Sequence, residues 1–423
     1  MRNLRYIAHI VIEAETPLAV GSGKKGLTVD NSISRDVYGL PYIPGTAIAG
    51  VIRHHLEDNC AVGIKKYFQD IFGYKKGEKV DGNGKKLQYD NNGQGSVISF
   101  SSAHLIDLDG CVIEGVKDID LENNYLKHFN KLPIRDHVKI NHKGTADTKT
   151  HGKFDEELVF KGVRFAFNIE FEACNEEQDG AFWKEIINVF SEPILCFGGK
   201  TRNGFGKMKV VNELSKQILF NLEKKNDLEN YLKLDNSLNN NIENFDELTI
   251  EEKEIEWGHY QLKLTPESFY TFSAGFGDTE VDSIPKTESF FEWDKDNKNP
   301  KLVGFNAEEH KFGRILIPAT SVKGAISHRL AFHYNKLNNV WAEELNKDEI
   351  LKHTKQNKAV RTLFGYVDDK EAERGRVILS DIYQEYEKED EHIFNHVAID
   401  RFTGGGMDSA LFSEKAVMTK KEI

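Results

Sequence analysis

Leu40-Pro41-Tyr42-Ile43-Pro44-Gly45-Thr46-Ala47-Ile48-Ala49-Gly50, running into Val51-Ile52-Arg53-His54-His55-Leu56-Glu57, is the stretch on which the fold turns. Much later in the chain, Ile315-Leu316-Ile317-Pro318-Ala319-Thr320-Ser321-Val322-Lys323-Gly324 runs into Ala325-Ile326-Ser327-His328-Arg329-Leu330. Both read as a short apolar stretch, a Pro turn with Thr or Ser at the N-cap, and an amphipathic helix. Each helix is followed by a second matched pair, Ile71-Phe72-Gly73-Tyr74 and Leu363-Phe364-Gly365-Tyr366. Two strand-like runs come next, Gly95-Ser96-Val97-Ile98-Ser99-Phe100 and Gly375-Arg376-Val377-Ile378-Leu379-Ser380. The fourth pair is His137-Val138-Lys139-Ile140 and His396-Val397-Ala398-Ile399-Asp400, each opening a polar stretch with Gly and Thr. Matches in the same order throughout define a tandem duplication.

The copies occupy 1–213 and 258–423, joined by a connection at 214–257 rich in Asn, Glu, Lys and Leu. A short amphipathic helix is expected there around 219–234, followed by a flexible Asn cluster. Within each copy, strand-like runs (7–14, 163–172 and 259–264) alternate with single helices. That pattern predicts α+β modules, not a parallel doubly wound sheet. Long polar insertions at 74–94 and 288–312 read as surface loops. One asymmetry stands out. The first copy closes with Phe197-Gly198-Gly199-Lys200-Thr201-Arg202-Asn203-Gly204-Phe205-Gly206-Lys207-Met208, and the second has no such segment. That favours a fragment of a longer protein over a sheet completed by a partner.

Composition narrows the class. The 423 residues carry a net charge of -12, with 39% apolar and 29% charged side chains, which suits packed cores and not a disordered chain. No apolar run reaches the roughly 18–20 residues of a membrane helix. The first twenty residues break at Glu13 and Glu15 and read as a strand, not a signal peptide. Cys60, Cys111, Cys174 and Cys196 are scattered singly, so zinc is not expected and a reducing, cytoplasmic setting is. Residues 1–250 carry 32 basic and 36 acidic side chains and 251–423 carry 24 and 32, so neither half is basic. Any contact with nucleic acid must rest on local clusters.

The ordered set of motifs resembles the RAMP superfamily of CRISPR-associated proteins, and within it the Cas7-type backbone subunits of type III effector complexes. The resemblance rests on VDNSISRD before GLPYIPGTAIAGVIRHHLE, on the FGY, HV and GG-K-x-x-x-G-x-G segments, and on HVAIDRFTGGGMDSALFSEKAV in the second copy. It implies tandem modified ferredoxin-like (RRM-like) modules with long insertions. Such modules bind a guide CRISPR RNA, press a hairpin thumb into the guide–target duplex, and cut target RNA at an acidic loop. The implied partners are guide RNA, target RNA and other type III subunits, including a large Cas10-type subunit, with no membrane.

The residue chemistry is compatible with those roles. Gly199, Lys200, Arg202, Gly204 and Lys207 combine accessible backbone N–H groups with cations, a phosphate-binding composition that is equally a tight turn when read alone. It is not a Walker loop, so ATP is not expected. Gly45, Thr46 and Arg53 open the first helix and Ser321, Lys323 and Arg329 the second; helix starts carry partial positive charge. The Lys common in the family is Ala49 in the first copy and Lys323 in the second, so the two modules are expected to grip the guide unequally. The thumbs are expected at 137–154 and 396–412. His137 and Lys139 on one, and His396 and Arg401 on the other, would contact RNA. Phe154, Phe402 and Met407 are wedge candidates, and Arg135, Lys143, Lys149 and Lys153 add charge.

The resemblance places the cutting aspartate at Asp30, in Val29-Asp30-Asn31-Ser32 before Arg35-Asp36. A carboxylate there would hold Mg2+ or orient the attacking 2′-hydroxyl. Asp282 is the register match in the second copy, with Asp278 as its competitor. Two other readings compete: a structural subunit without cutting activity, and a stand-alone guide-processing RAMP nuclease. No nucleophile elbow or metal-spaced His/Cys set supports other catalysis.

Overall fold

The computed structural model describes the chain apart from residues 1, 25, 27–28, 60–66, 76–92, 142–144, 147–151, 240–244, 252, 254–257, 297, 305–313, 347, 351–352, 354–355, 369–370 and 420–423. Helices and sheets are mixed throughout, as the α+β pattern predicts.

The first module is built on β1 (Leu4–Ala14). Alternation along the strand sends Tyr6, Ala8, Ile10 and Ile12 into the main core and Val11 into a smaller cluster. β6 (Arg164–Ala173) pairs antiparallel with it from Leu4↔Ala173 to Glu13↔Arg164, adding Phe165, Phe167, Ile169 and Phe171 to the same core. β2 (Ile98–Phe100) and β3 (His104–Leu105) pair with β6. β7 (Met208–Val210) and β8 (Lys216–Asn221) pair with β1, and β9 (Asp246–Glu247) with β8. Helix α1 (Gly45–Asn59) buries Ile48, Ile52 and Leu56, one per turn, against this core. The short α2 (Phe68–Phe72) adds Phe68 and Ile71. Helix α3 (Glu176–Asn188) starts at Asn175, whose side chain accepts from the Glu177 and Gln178 amides, and it buries Phe182, Trp183 and Ile186.

The connection is in part a piece of this module. β8 falls inside 214–257, and Leu248 and Ile250 join the main core. The helix expected at 219–234 is shorter, α4 (Lys225–Tyr231), because Leu219 lies in β8 and is held there by β1.

The second module has a small sheet of β10 (Thr287–Glu288), β13 (Arg314–Ile317) and β16 (Ile382–Gln384). Helices α5 (Ala319–Leu337) and α6 (Lys358–Phe364) accompany it. Several local features recur in both halves of the chain. Gly73 and Gly365 share φ 78° and 79°, and a Cβ on either would strike backbone at 2.6 or 2.5 Å. The bridge Arg35↔Pro41 recurs as Thr287↔Ile315, and Ile43↔Ala103 as Ile317↔Ile382.

Three expectations change. The run 259–264 forms no strand, and Tyr260 and Leu262 are 87% and 73% exposed. Its counterpart β1 is bonded on both edges, whereas no strand flanks this run among the described residues. For the same reason 375–380 is irregular: β2, its counterpart, pairs with β6. The helix caps are also remote. Ser102 Oγ accepts from the Gly45 amide at 3.3 Å, and Asp381 Oδ1 from the Ala319 amide at 2.8 Å, in place of Thr46 and Thr320.

The insertion 288–312 is not a surface loop where it is described. It forms the hairpin β11 (Phe290–Trp293) and β12 (Pro300–Val303), which lies on the first module. Phe291 is 3% exposed within the first module's core. Trp293 Nε1 donates to the Gly162 carbonyl at 2.6 Å, and the Arg164 guanidinium sits 3.8 Å from the Trp293 ring centroid. Phe291→Ala is therefore expected to cost about 3–5 kcal/mol in chemical denaturation. A surface loop would lose under about 0.5 kcal/mol.

Candidate nucleic-acid interface

Each module joins its Asp loop to the base of a hairpin in the same way. In the first, β4 (Ile134–Val138) and β5 (Lys153–Glu157) form the hairpin, with His137 opposite Phe154. Their rings stack at 4.9 Å, and His137 Nε2 lies 2.6 Å from Glu156 Oε1. The Asp30 amide donates to Asp155 Oδ1 at 2.6 Å, the Asp155 amide donates to Asp30 Oδ2 at 3.3 Å, and Asn31 bridges Glu156 in parallel. In the second, β17 (Glu391–Ile399) and β18 (Gly406–Val417) set His396 opposite Phe412, stacked at 4.6 Å, with His396 Nε2 3.0 Å from Glu414. The Ser413 amide donates to Asp282 Oδ2 at 2.8 Å, and Ser283 bridges Glu414 in parallel. Asp282 is thus the counterpart of Asp30. Asp278 is engaged elsewhere, accepting from Lys415 Nζ at 2.6 Å.

The two sites differ in one partner. Asp30 meets a second carboxylate, Asp155, where Asp282 meets the Ser413 hydroxyl at 3.1 Å. Asp30 and Asp282 are both exposed. No group of three or more His, Cys, Asp or Glu side chains fit to hold a metal ion occurs among the described residues. Two carboxylates do suit Mg2+, which commonly takes one or two from protein and completes its shell with water and phosphate. The first site fits such a shared site better than the second.

The Gly-rich segment lies against the second module. Gly204 is buried at φ 91°, where a Cβ would sit 2.8 Å from the Leu379 carbonyl and 2.9 Å from Ala319. Lys323 Nζ donates to the Arg202 carbonyl at 2.8 Å and to Asn203 Oδ1 at 3.2 Å. Arg374, from β15 (Ala372–Arg374) beside β14 (Gly365–Val367), reaches Thr201. Arg202, Lys323 and Arg374 thus meet at the seam, and none is paired with a carboxylate among the described residues. Burial and the Arg374 charge draw the Arg202 pKa down, and burial and Arg202 do the same to Lys323. A polyanion at this seam would relieve that repulsion.

The remaining expected contacts fall in three settings. Lys200 is paired with the buried Glu156 and lies 4.3 Å from the Phe154 ring centroid; Lys207 pairs with Glu15 at 2.6 Å. Thr46, Arg53, Lys139, Ser321, Arg329, Arg401 and Phe402 are exposed, the last at 98%. Arg53 stacks over Phe68 and Arg329 over Phe332. Gly45 is buried at the start of α1, and Gly199 is exposed. Lys143 and Lys149 lie outside the described residues. Sequence reasoning missed Asp155, Glu156 and Arg374. The first two were findable, because placing His137 opposite Phe154 and His396 opposite Phe412 brings the next two residues to the Asp loop. Arg374 carries no local signal, since its place depends on how the modules meet.

Asp loops at hairpin bases thus recur in both halves of the chain, and the cations at the seam have a composition that suits a polyanion. A family model described as the RAMP superfamily matches residues 11–209 and 298–422, and the chain belongs to that superfamily. It is 27% identical over 212 residues to the CRISPR system Cms endoribonuclease Csm3 of Methanocaldococcus jannaschii, spanning 47% of this chain and 75% of that protein. Solved structures of type III-B Cmr-beta contain similar chains. One in the apo state matches at TM-score 0.34 and 16% identity, over 49% of this chain and 98% of that one. One bound to cognate target RNA matches at TM-score 0.32 and 17% identity, over 52% of this chain and 61% of that one. No helix among the described residues is long and apolar enough to cross a membrane.

Burial pushes the Glu156 carboxyl up, but His137 and Lys200 outweigh it and hold its pKa below the ordinary 4.5. A depressed carboxylate contributes stability that is full above 4.5 and lost as pH falls through the lower folded value. Glu156→Gln is expected to lower the denaturation midpoint at neutral pH, with the gap to wild type closing in acid below pH 4.5. A gap independent of pH would contradict this assignment.

Proposed function

We propose that this chain is a Cas7-type RNA-binding subunit of a type III CRISPR effector complex, carrying two ferredoxin-like modules along a guide RNA. The observation that carries the reading is the seam of Arg202, Lys323 and Arg374, three cations without carboxylate partners among the described residues of an acidic chain. The sheet order β2-β6-β1-β8 with α1 and α3 inserted supports a ferredoxin-like reading of the first module. Guide RNA would follow the seam and the two hairpins, with specificity from base pairing and the protein reading backbone and A-form shape. Target RNA and neighbouring effector subunits, including a large Cas10-type subunit, complete the assembly in the cytoplasm.

The relative's name, endoribonuclease Csm3, favours cutting of RNA, and the proposed substrate is the target strand. Asp30 is the residue we assign to this step, and the Asp155 carboxylate accepting from its amide supports the assignment. Together they would hold Mg2+ against the scissile phosphate, where the ion would supply charge neutralisation. With so few groups at the site, most of the rate must come from geometry imposed by the hairpin on the RNA. For the second module the reading is a binding role with weak or no cutting, because Ser413 replaces the second carboxylate.

Two experiments test this. In the reconstituted complex, Asp30→Ala is expected to abolish cleavage at one position while guide and target affinity stay within about twofold; retained cleavage at that position removes Asp30 from the chemistry. Arg202→Ala with Arg374→Ala is expected to weaken RNA binding and to flatten the salt dependence by about 1.4–1.8 in log–log slope. An unchanged slope would take RNA off the seam.

A further inference from the structure

The seam contains a second set of charges, buried at Arg135, Glu288 and the Asp381 side chain, that the RNA reading does not use. Arg135, at the base of the first hairpin, is 3% exposed. Its Nε and Nη2 donate to Glu288 at 2.7 and 2.6 Å, and its Nη1 donates to Asp381 at 2.8 Å. Both acceptors belong to the second module. Tyr383 Oη donates to Glu288 at 3.1 Å, and Lys286 Nζ donates to the Ile134 carbonyl at 2.8 Å. Lys323 adds its two bonds to Arg202 and Asn203. Burial opposes the Arg135 charge, but the two carboxylates outweigh it and hold its pKa above the ordinary arginine value.

The duplication lets each of these residues be compared with its counterpart. The matched bridges set Ser34 against Lys286, Asp36 against Glu288 and Ser102 against Asp381; the matched helices set Ala49 against Lys323. Every one of these counterparts is short or already committed. Ser34 Oγ donates to the Gly21 carbonyl. Asp36 Oδ1 accepts from the Tyr38 and Leu40 amides at 2.9 Å each. Ser102 takes the Gly45 amide. On the other side, the hairpin register sets Phe394 where the first hairpin has Arg135, and its ring packs 4.8 Å from Phe269. The arginine and its acceptors are both missing from the outer faces, although both faces keep the repeated backbone.

We infer that Arg135, Lys286, Glu288 and Asp381 form a pairing code that seats the second module on the first, and that the outer faces lack it, so that a second copy of this chain does not dock there. The physical basis is one of mismatch. Phe394 and Ser102 offer none of the charge-assisted bonds that hold Arg135 to Glu288 and Asp381, so a contact between two copies lacks the interaction that selects the inner seating. The code thereby sets the order of modules along the assembly. None of these four residues is among the cations assigned to RNA, so the pairing is tested without RNA.

The test uses the full chain without RNA. Sedimentation velocity of wild type is expected to show a single copy over a wide concentration range. Placing Arg at 394 and Asp at 102 (Phe394→Arg with Ser102→Asp) is expected to produce concentration-dependent head-to-tail association. In hydrogen exchange, Arg135→Met is expected to raise exchange at β10 and the first turn of α5 by about a hundredfold. The triple variant Arg135→Met, Glu288→Gln, Asp381→Asn, which leaves no unpaired charge, is expected to return most of that protection. Self-association of wild type that is lost on Phe394→Arg overturns the code. So does a double variant that stays single, or an Arg135→Met chain whose exchange matches wild type. A triple variant as open as Arg135→Met also overturns it, because the loss would then be one of shape and not of charge matching.

Discussion

A strand buried in a sheet must spend its backbone donors and acceptors on both edges, and β1 meets that constraint with β6 on one side and β7 and β8 on the other. Everything in the first module follows from it. The face that carries Tyr6, Ile10 and Ile12 is covered by α1 and α3, and the opposite face by the chain that returns after β8, where Leu238 packs with Val11. The same pattern at 259–264 has no neighbouring strands among the described residues and stays open. The consequence reaches α5. Where α1 buries Ile48, Ile52 and Leu56, α5 buries Ala319, and Ile326 is 37% exposed.

The second module therefore draws its order largely from outside its own core. Its hairpin β11–β12 inserts Phe291 among the first module's aromatics, stacked 6.0 Å from Phe129 and edge-on to Tyr125 at 5.0 Å. Trp293 covers the Arg164 guanidinium, which is itself paired with Glu13 at 2.8 Å. Arg135 then fixes orientation, which apolar packing alone leaves loose. Two carboxylates share that one guanidinium, and burial together with Glu288 pushes the Asp381 carboxyl up despite Arg135. A buried ionic set of this kind adds little to net stability compared with apolar residues of equal volume. Its value lies in permitting one seating and penalising others.

Much of this architecture is legible in the amino-acid sequence. The strands at 7–14 and 163–172 and the helices after the two Pro turns can be read from spacing and punctuation, because each rests on local pattern, whereas the two hairpins are what the family resemblance implies. The Asp282 register is legible too, through Val281-Asp282 echoing Val29-Asp30. What fails shares one cause. The strand at 259–264, the helix through Leu219 and the surface reading of 288–312 each depend on which distant segment lies alongside. Tyr260 and Leu262 alternate as strand residues do, yet alternation supplies no hydrogen-bond partner. Leu219 fits a helical face as well as a strand, and β1 decides between them. Phe290, Phe291 and Trp293 are the overlooked signal, since three aromatics in four residues are rare in a solvated loop.

On the proposed reading, the net charge of -12 is reconciled with RNA by position and not by total. Acidic side chains are spent where they neutralise cations: Glu156 on Lys200, Glu15 on Lys207, Glu13 on Arg164 and Lys209. The cations left over at the seam are held beside one another by the fit of the two modules, with Lys323 anchored to backbone and Arg202 half-buried. Such a cluster is a cost to the empty protein and a gain to the bound one, because phosphate removes repulsion and adds attraction at once. An acidic chain with that arrangement binds a backbone of matching path and discourages nonspecific coating elsewhere, which a uniformly basic surface would not. The seating of the modules and the grip on the nucleic acid are consequently one problem: the geometry that Arg135 fixes on the buried side is the geometry that brings Arg202, Lys323 and Arg374 together on the open side.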